Sequence, residues 1–191
     1  IHVMEQYLTY PSGAPLQDRL AESILATLIE VGPRTLAEPR DYPSRASFMW
    51  SATLALNTLI GCGVPQDWST HMIGHELTAL YGIDHARTLA VIMPAVHRHQ
   101  LARKLPRLAQ CAARVWGIQT GDDAARAAQA IDRMEAFFQA VGVPTRLSDY
   151  DIDADEAGRR VAERLAQRGA KIGEYGDLGE QAVREIVALA R

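Results

Sequence analysis

The chain has too few cysteines for a disulfide framework. Its 191 residues include two, Cys62 and Cys111, far apart and outside any CxxC spacing, which suits reduced thiols of a cytoplasmic protein, read here as small buried apolar side chains. It has no strong excess of either charge. With 20 basic and 23 acidic residues, a net charge of -3 and a pI near 6.1, it has no general attraction for nucleic acid or anionic membrane surfaces. Long apolar runs are missing too: "SATLALNTLIGCGV" is broken by Thr, Asn and Gly well before the ~18 residues of a spanning helix. No segment alternates with period two for long enough to suggest a strand. There is no signal peptide and no initiator methionine before "IHVMEQY", so the chain is read as a fragment.

What is present is helical periodicity. Apolar residues recur at three- and four-residue intervals in segment after segment, and 48% apolar with 23% charged residues suits one soluble domain with a proper core. The fold class predicted is all-α, over residues 1–191. Leu20, Ile24, Leu28 and Val31 form one stripe, with Gly32-Pro33 as its stop signal. A helix after Pro43 is apolar enough to be a central, nearly surrounded element ending at Gly61. Asp67 or Ser69 is the expected N-cap of the next helix and Gly82 its left-handed C-terminal residue. Asp84 caps the following helix, which Pro94 should kink or end, and Pro106 opens another in its first turn. Ile131, Met134, Phe138 and Val141 share an inner face closed by Gly142 and Pro144. Two amphipathic helices finish the chain, the second with a capping box from Asp177 to Glu180.

Half of the six histidines, His71, His75 and His85, fall in "STHMIGHELTALYGIDHARTLA". His71 and His75 are one turn apart on one helix face, and His85, after the glycine turn, points back toward the groove. Neutral imidazoles are common ligands of zinc and suit ferrous iron, so convergent rings make a cation site. An i,i+4 pair also serves merely to bond a carbonyl or face solvent. His2 belongs in the same groove or frays at the terminus. His97 and His99, beside Arg98, Arg103 and Lys104, read as a solvated basic surface. Tyr7, Trp50 and Trp68 line either a substrate pocket or the core. Glu76 points about 100° away from His75, so the HExxH arrangement is excluded. "GCGVPQ" makes no dinucleotide loop, GxSxG is absent, and the acidic run "DYDIDADE" reads as a polar loop and helix cap.

The stretch "THMIGHELTALYGIDHARTLAVIMPAV" resembles the second half of the iron-containing alcohol dehydrogenase family, in its branch of NADPH-dependent aldehyde reductases and butanol dehydrogenases. "HVMEQYLTYP", "GVPQDWSTH" and "GVPTRLSDY" are similar to the same branch, so the resemblance covers nearly the whole chain. It implies the helical C-terminal metal-binding domain of the dehydroquinate synthase-like fold. It makes His2, His71 and His85 ligands of a divalent metal, Fe or Zn, with His75 a catalytic residue beside the substrate. Ala86, where many members carry glycine, is common in this branch. The family's fourth ligand, an aspartate one turn before His2, falls outside the chain, as does the N-terminal domain that binds most of the NADP(H) or NAD(H). The implied partners are a small aldehyde or alcohol, that nucleotide-binding domain and further copies in a homo-oligomer, and the isolated chain is expected to be inactive. Two other readings are a polyol dehydrogenase or dehydroquinate synthase-like enzyme of the same fold, and a non-catalytic helical interaction module.

Overall fold

The computed structural model describes residues 1–191 as nine α-helices and one short 3-10 turn, without strands. They are α1 (His2–Tyr7), α2 (Pro15–Ala37), α3 (Tyr42–Leu56), α4 (Ser69–Tyr81), α5 (His85–His99), α6 (Leu101–Arg114), α7 (Asp123–Ala140), α8 (Ala154–Gln167) and α9 (Glu180–Ala188). The all-α expectation therefore holds. No helix is long and apolar enough to cross a membrane.

Two apolar clusters hold the helices together. One gathers Ile73 and Leu77 of α4, Ile92 and Val96 of α5, Val161 and Leu165 of α8, and Ile186 of α9. The other joins Val3 and Tyr7 of α1, Ile24 of α2, Leu108 of α6, and Ile131 and Met134 of α7, and takes Met93 from α5. Helix α5 thus has core on both sides. This overturns the reading of His97 and Lys104 as solvated basic surface, since each is only 2% exposed. His97 is the polar member of a fully packed turn, while Lys104 is neutralised from two sides by Asp67 at 2.8 Å and Glu174 at 3.5 Å. Arg98 and His99 also have partners, in Asp132, Glu135 and Glu185.

The central position expected for α3 is likewise corrected. It packs mainly on α2 through Ser44, Ser51 and Ala55, leaving Tyr42, Phe48, Met49, Trp50 and Leu56 exposed, and it ends at Leu56 before Gly61. Its apolar composition translates only partly into burial, because the residues that face a neighbour are mostly its small ones, joined by the half-buried Leu54.

Prolines expected to stop helices lie inside them. Helix α2 continues through Pro33. Gly32 is buried inside the helix near Phe137, where a Cβ would make only ordinary contact at 3.4 Å, and Pro33 lies on the exposed last turns where a lost donor is tolerated. Helix α5 continues through Pro94, held by core on both faces, and α6 starts at Leu101, so Pro106 is inside it and not in its first turn. Gly82 closes α4 at φ 70° as read, and Asp153 of the acidic run caps α8. Asp41 and Asp122 cap α3 and α7 in the same way. The N-cap expected of Asp67 or Ser69 is corrected, since Trp68 holds that position in α4 without a side-chain bond, and Asp84 stands at the N-cap of α5 but makes no capping bond. The capping box at α9 does not form: Gly179 is the N-cap, and the Asp177 carboxylate instead takes Arg103 at 2.9 and 3.0 Å.

Candidate metal centre

His2 opens α1, a helix of six residues that is too short to persist alone in water. Tertiary contacts keep it helical. Val3, Met4, Tyr7 and Leu8 are all buried, and Gln6 Nε2 donates to the Ala55 carbonyl of α3 at 2.8 Å. At its C-terminal end, Arg107 donates to the Tyr7 carbonyl at 2.8 and 3.1 Å, and Lys104 to the Leu8 carbonyl at 2.6 Å. The last carbonyls of a helix lack internal partners, and here two basic residues of α6 supply them.

The start of α4 is anchored from the same side. Asp67 Oδ1 accepts the Ser69 backbone N–H at 3.0 Å, and Glu5 of α1 accepts those of Thr70 at 2.7 Å and His71 at 3.2 Å. Burial works to raise the Asp67 carboxyl, but the Lys104 ammonium and the Ser69 hydrogen bonds outweigh it and hold the group below the usual carboxylate range. His71, itself buried, places Nδ1 against the other Glu5 oxygen and points Nε2 at Nε2 of His2, 3.1 Å away.

His75 follows one turn later, exposed at the rim. The left-handed Gly82 turn brings His85 back toward it at the start of α5, with ring centroids 4.5 Å apart. Gly74 allows this close approach of α4 and α5, because a Cβ there would meet Leu89 Cδ2 at 2.9 Å and Thr88 Oγ1 at 3.3 Å. The His71 ring lies 5.3 Å from that of His85 and 5.9 Å from that of His75. Trp68 stands edge-on to His71 at 5.2 Å and to His2 at 6.2 Å.

Four imidazoles from three helices therefore share one groove, in two close pairs, His2 with His71 and His75 with His85. No group of three or more His, Cys, Asp or Glu side chains stands at metal-holding spacing. The donor types nevertheless fit a divalent cation. Two Nε2 atoms at 3.1 Å share either a proton or a cation, and ~3.3 Å separates neighbouring nitrogens around a tetrahedral zinc with Zn–N of about 2.0–2.1 Å. Burial, followed by His71 and His85, pushes His2 down to about 4. Burial, then His75 and His71, lowers His85 as well. Both rings are thus neutral at pH 7, the form that ligates metal. His85 Nδ1 is buried without a hydrogen-bond partner.

The aromatic candidates separate. Trp68 belongs to the groove. Tyr7 belongs to the core, its hydroxyl donating to Glu22 at 2.7 Å, and burial raises it well above an ordinary phenol. Trp50 lies on the exposed face of α3, beside a shallow hollow of ≈ 580 Å³ that none of the four histidines lines. Glu76 turns away from the histidines toward Arg164 and Arg168 of α8, as its angle on the helix predicts. Of the cysteines, Cys111 is buried and pushed up to about 12 by that burial, whereas Cys62 is exposed and so departs from the buried reading. Sequence reasoning missed Glu5. Its signal was available, because a carboxylate three residues after His2 lies on the same face of a helix.

The profile of the Fe-containing alcohol dehydrogenase family, C-terminal part, matches residues 1–190. The NADPH-dependent aldehyde reductase YqhD of Escherichia coli is 48% identical across 100% of this chain, which covers 49% of that protein. A probable NADH-dependent butanol dehydrogenase of Bacillus subtilis is 36% identical, with 97% of this chain and 48% of that protein covered. The chain thus spans about half the length of the curated relatives it matches. Among solved structures, the substrate- and cofactor-free aldehyde reductase YqhD superposes with a TM-score of 0.97 at 48% identity, over 100% of this chain and 50% of that one. The NADH-dependent butanol dehydrogenase A of Thermotoga maritima does so with 0.90 at 28% identity, over 99% and 49%.

Proposed function

The chain belongs to the Fe-containing alcohol dehydrogenase family, and from that membership we propose that it is the metal- and substrate-binding half of an NAD(P)H-linked aldehyde reductase or alcohol dehydrogenase. The observation that carries this reading is the meeting of His2 and His71, Nε2 to Nε2, in a groove that His85 also enters. In this proposal His2, His71 and His85 hold the metal, iron or zinc. A bound divalent ion supplies Lewis-acid polarisation of a carbonyl oxygen, and a nicotinamide held mainly by a separate nucleotide-binding domain supplies hydride.

The chain's own residues do the rest. The neutral rings of His2 and His85 offer lone pairs and bring no positive charge, so they do not repel a divalent cation in the groove. Trp68 covers one side of His71 and limits access of water. His75, exposed at the rim beside His85, is the residue that gives a proton to the product oxygen in reduction and accepts it in alcohol oxidation. A small aldehyde or alcohol is the matching substrate, and the branch of relatives supports it.

The same proposal includes a cytoplasmic enzyme, supported by free thiols at Cys62 and Cys111, and a homo-oligomer, supported by the exposed apolar row of α3. The test is NADPH and NADH oxidation with butanal by a protein joining this chain to a family nucleotide-binding domain. Turnover should disappear in His71→Ala and His85→Ala, and should be absent from the 191-residue chain alone. Wild-type turnover in both variants would overturn the assignment.

A further inference from the structure

Glu5 is 3% exposed and faces α4 from one turn after His2. Its Oε1 accepts two backbone N–H groups, those of Thr70 and His71, at 2.7 and 3.2 Å, and its Oε2 meets Nδ1 of the His71 ring. The first N–H groups of a helix have no partner inside it, and Trp68, the N-cap residue of α4, offers no side-chain bond. A carboxylate 65 residues earlier in the chain therefore caps the histidine helix from outside, where the helix dipole also favours negative charge.

The hydrogen-bond pattern fixes the ring. A carboxylate whose other oxygen already takes two donors meets the imidazole as an acceptor, so Nδ1 carries the hydrogen and Nε2 presents its lone pair. That lone pair faces His2 Nε2 at 3.1 Å. Resting on the cation-site reading of these histidines, we propose that Glu5 is a positioning residue that holds His71 in the Nδ1–H tautomer and docks the start of α4 onto α1. One carboxylate then sets both the place of a ligand helix and the direction of its donor atom. Loss of such a carboxylate partner typically weakens metal binding by about 10–100-fold.

The experiment reads the tautomer and the affinity separately, on the 191-residue chain. Two-bond proton–nitrogen correlation spectra of nitrogen-15 histidine report which ring nitrogen carries hydrogen, with His71 assigned by its loss in His71→Gln. Competition against a chromophoric chelator reports Zn²⁺ affinity. In the wild type, His71 should be Nδ1–H. In Glu5→Gln, the amide oxygen stays on the two backbone donors and its NH₂ faces Nδ1. The ring should then switch to Nε2–H and Zn²⁺ binding weaken by about 10–100-fold. Glu5→Asp should keep the Nδ1–H form.

A wild-type His71 carrying hydrogen on Nε2 overturns the proposal even if no Glu5 variant folds, and so does a Glu5→Gln chain with unchanged tautomer and affinity. A protein that joins this chain to a family nucleotide-binding domain, so that an aspartate can precede His2, and that still takes neither Zn²⁺ nor Fe²⁺ overturns the cation reading on which the role depends. The spectra then show independently whether Glu5 fixes the ring.

Discussion

Lys104 Nζ lies 2.8 Å from Oδ2 of Asp67 with both side chains buried, which joins α6 to the loop that begins the histidine helix. The same ammonium reaches the Leu8 carbonyl and Glu174, so one cation ties together α1, α4, α6 and the segment before α9.

Lys104→Met should leave two buried carboxylates without their counter-charge and destabilise the chain by about 3–5 kcal/mol. Asp67→Asn should be destabilising too, and the double variant should lose less than the sum of the singles. Urea unfolding in a double-mutant cycle measures the coupling. Strictly additive losses would show that the pair does not act as a unit.

His97 gives a pH dependence with a definite sign. Burial, reinforced by the Lys104 ammonium and only partly opposed by Asp67, pushes it down to about 3 in the folded chain, and both ring nitrogens are buried without partners. The unfolded chain binds the proton near pH 6.5. His97 therefore leaves stability unchanged above about pH 6.5 and removes it progressively as pH falls toward 3. Between pH 7 and 5 the wild type should lose about 2 kcal/mol more than His97→Gln, read by urea unfolding at both values. Parallel losses in the two proteins would assign the acid sensitivity elsewhere.

Gly74→Val tests the contact between α4 and α5. The new side chain must displace Leu89 and Thr88, and Thr88 Oγ1 also donates to the His85 carbonyl at 2.9 Å. We expect a loss of about 1–3 kcal/mol from overpacking, accompanied by weaker Zn²⁺ binding as His85 moves. Gly74→Ala should lose less, because helix propensity returns up to about 1 kcal/mol.

Metal binding should appear as thermal stability. At one hundred times its Kd, a ligand of the folded state adds about 2.7 kcal/mol, which for a chain of this size raises Tm by roughly 5–10 °C. EDTA should reverse the gain, and His71→Ala should be indifferent to both metal and chelator. A wild-type chain with the same Tm in Zn²⁺ and in EDTA would favour a structural role for the histidines.

The sequence shows the histidine groove more readily than its supports. The one-turn spacing of His71 and His75 and the Gly82 turn before His85 are local, so helical geometry alone places them. Burial of His97 and Lys104 is not local. It follows from α5 lying between two cores and from acidic partners at positions 67 and 174, which no window around residue 100 contains. Exposure of α3 was hidden for the converse reason, since periodicity reveals which residues are apolar and not whether a neighbour covers them. Glu5 lies between these cases. Its face on α1 was legible from its distance to His2, whereas its partner on α4 required the tertiary fold.

The shortness of α1 has a consequence for motion. A terminal segment of six residues would ordinarily fray within nanoseconds to microseconds, yet this one has its side chains in the core and its final carbonyls clasped by Lys104 and Arg107. The hydrogen-bonded amides at its C-terminal end, from Glu5 to Leu8, should exchange with solvent as slowly as those of α5, only when the whole domain opens. The first turn of the chain is then among the last parts to come loose.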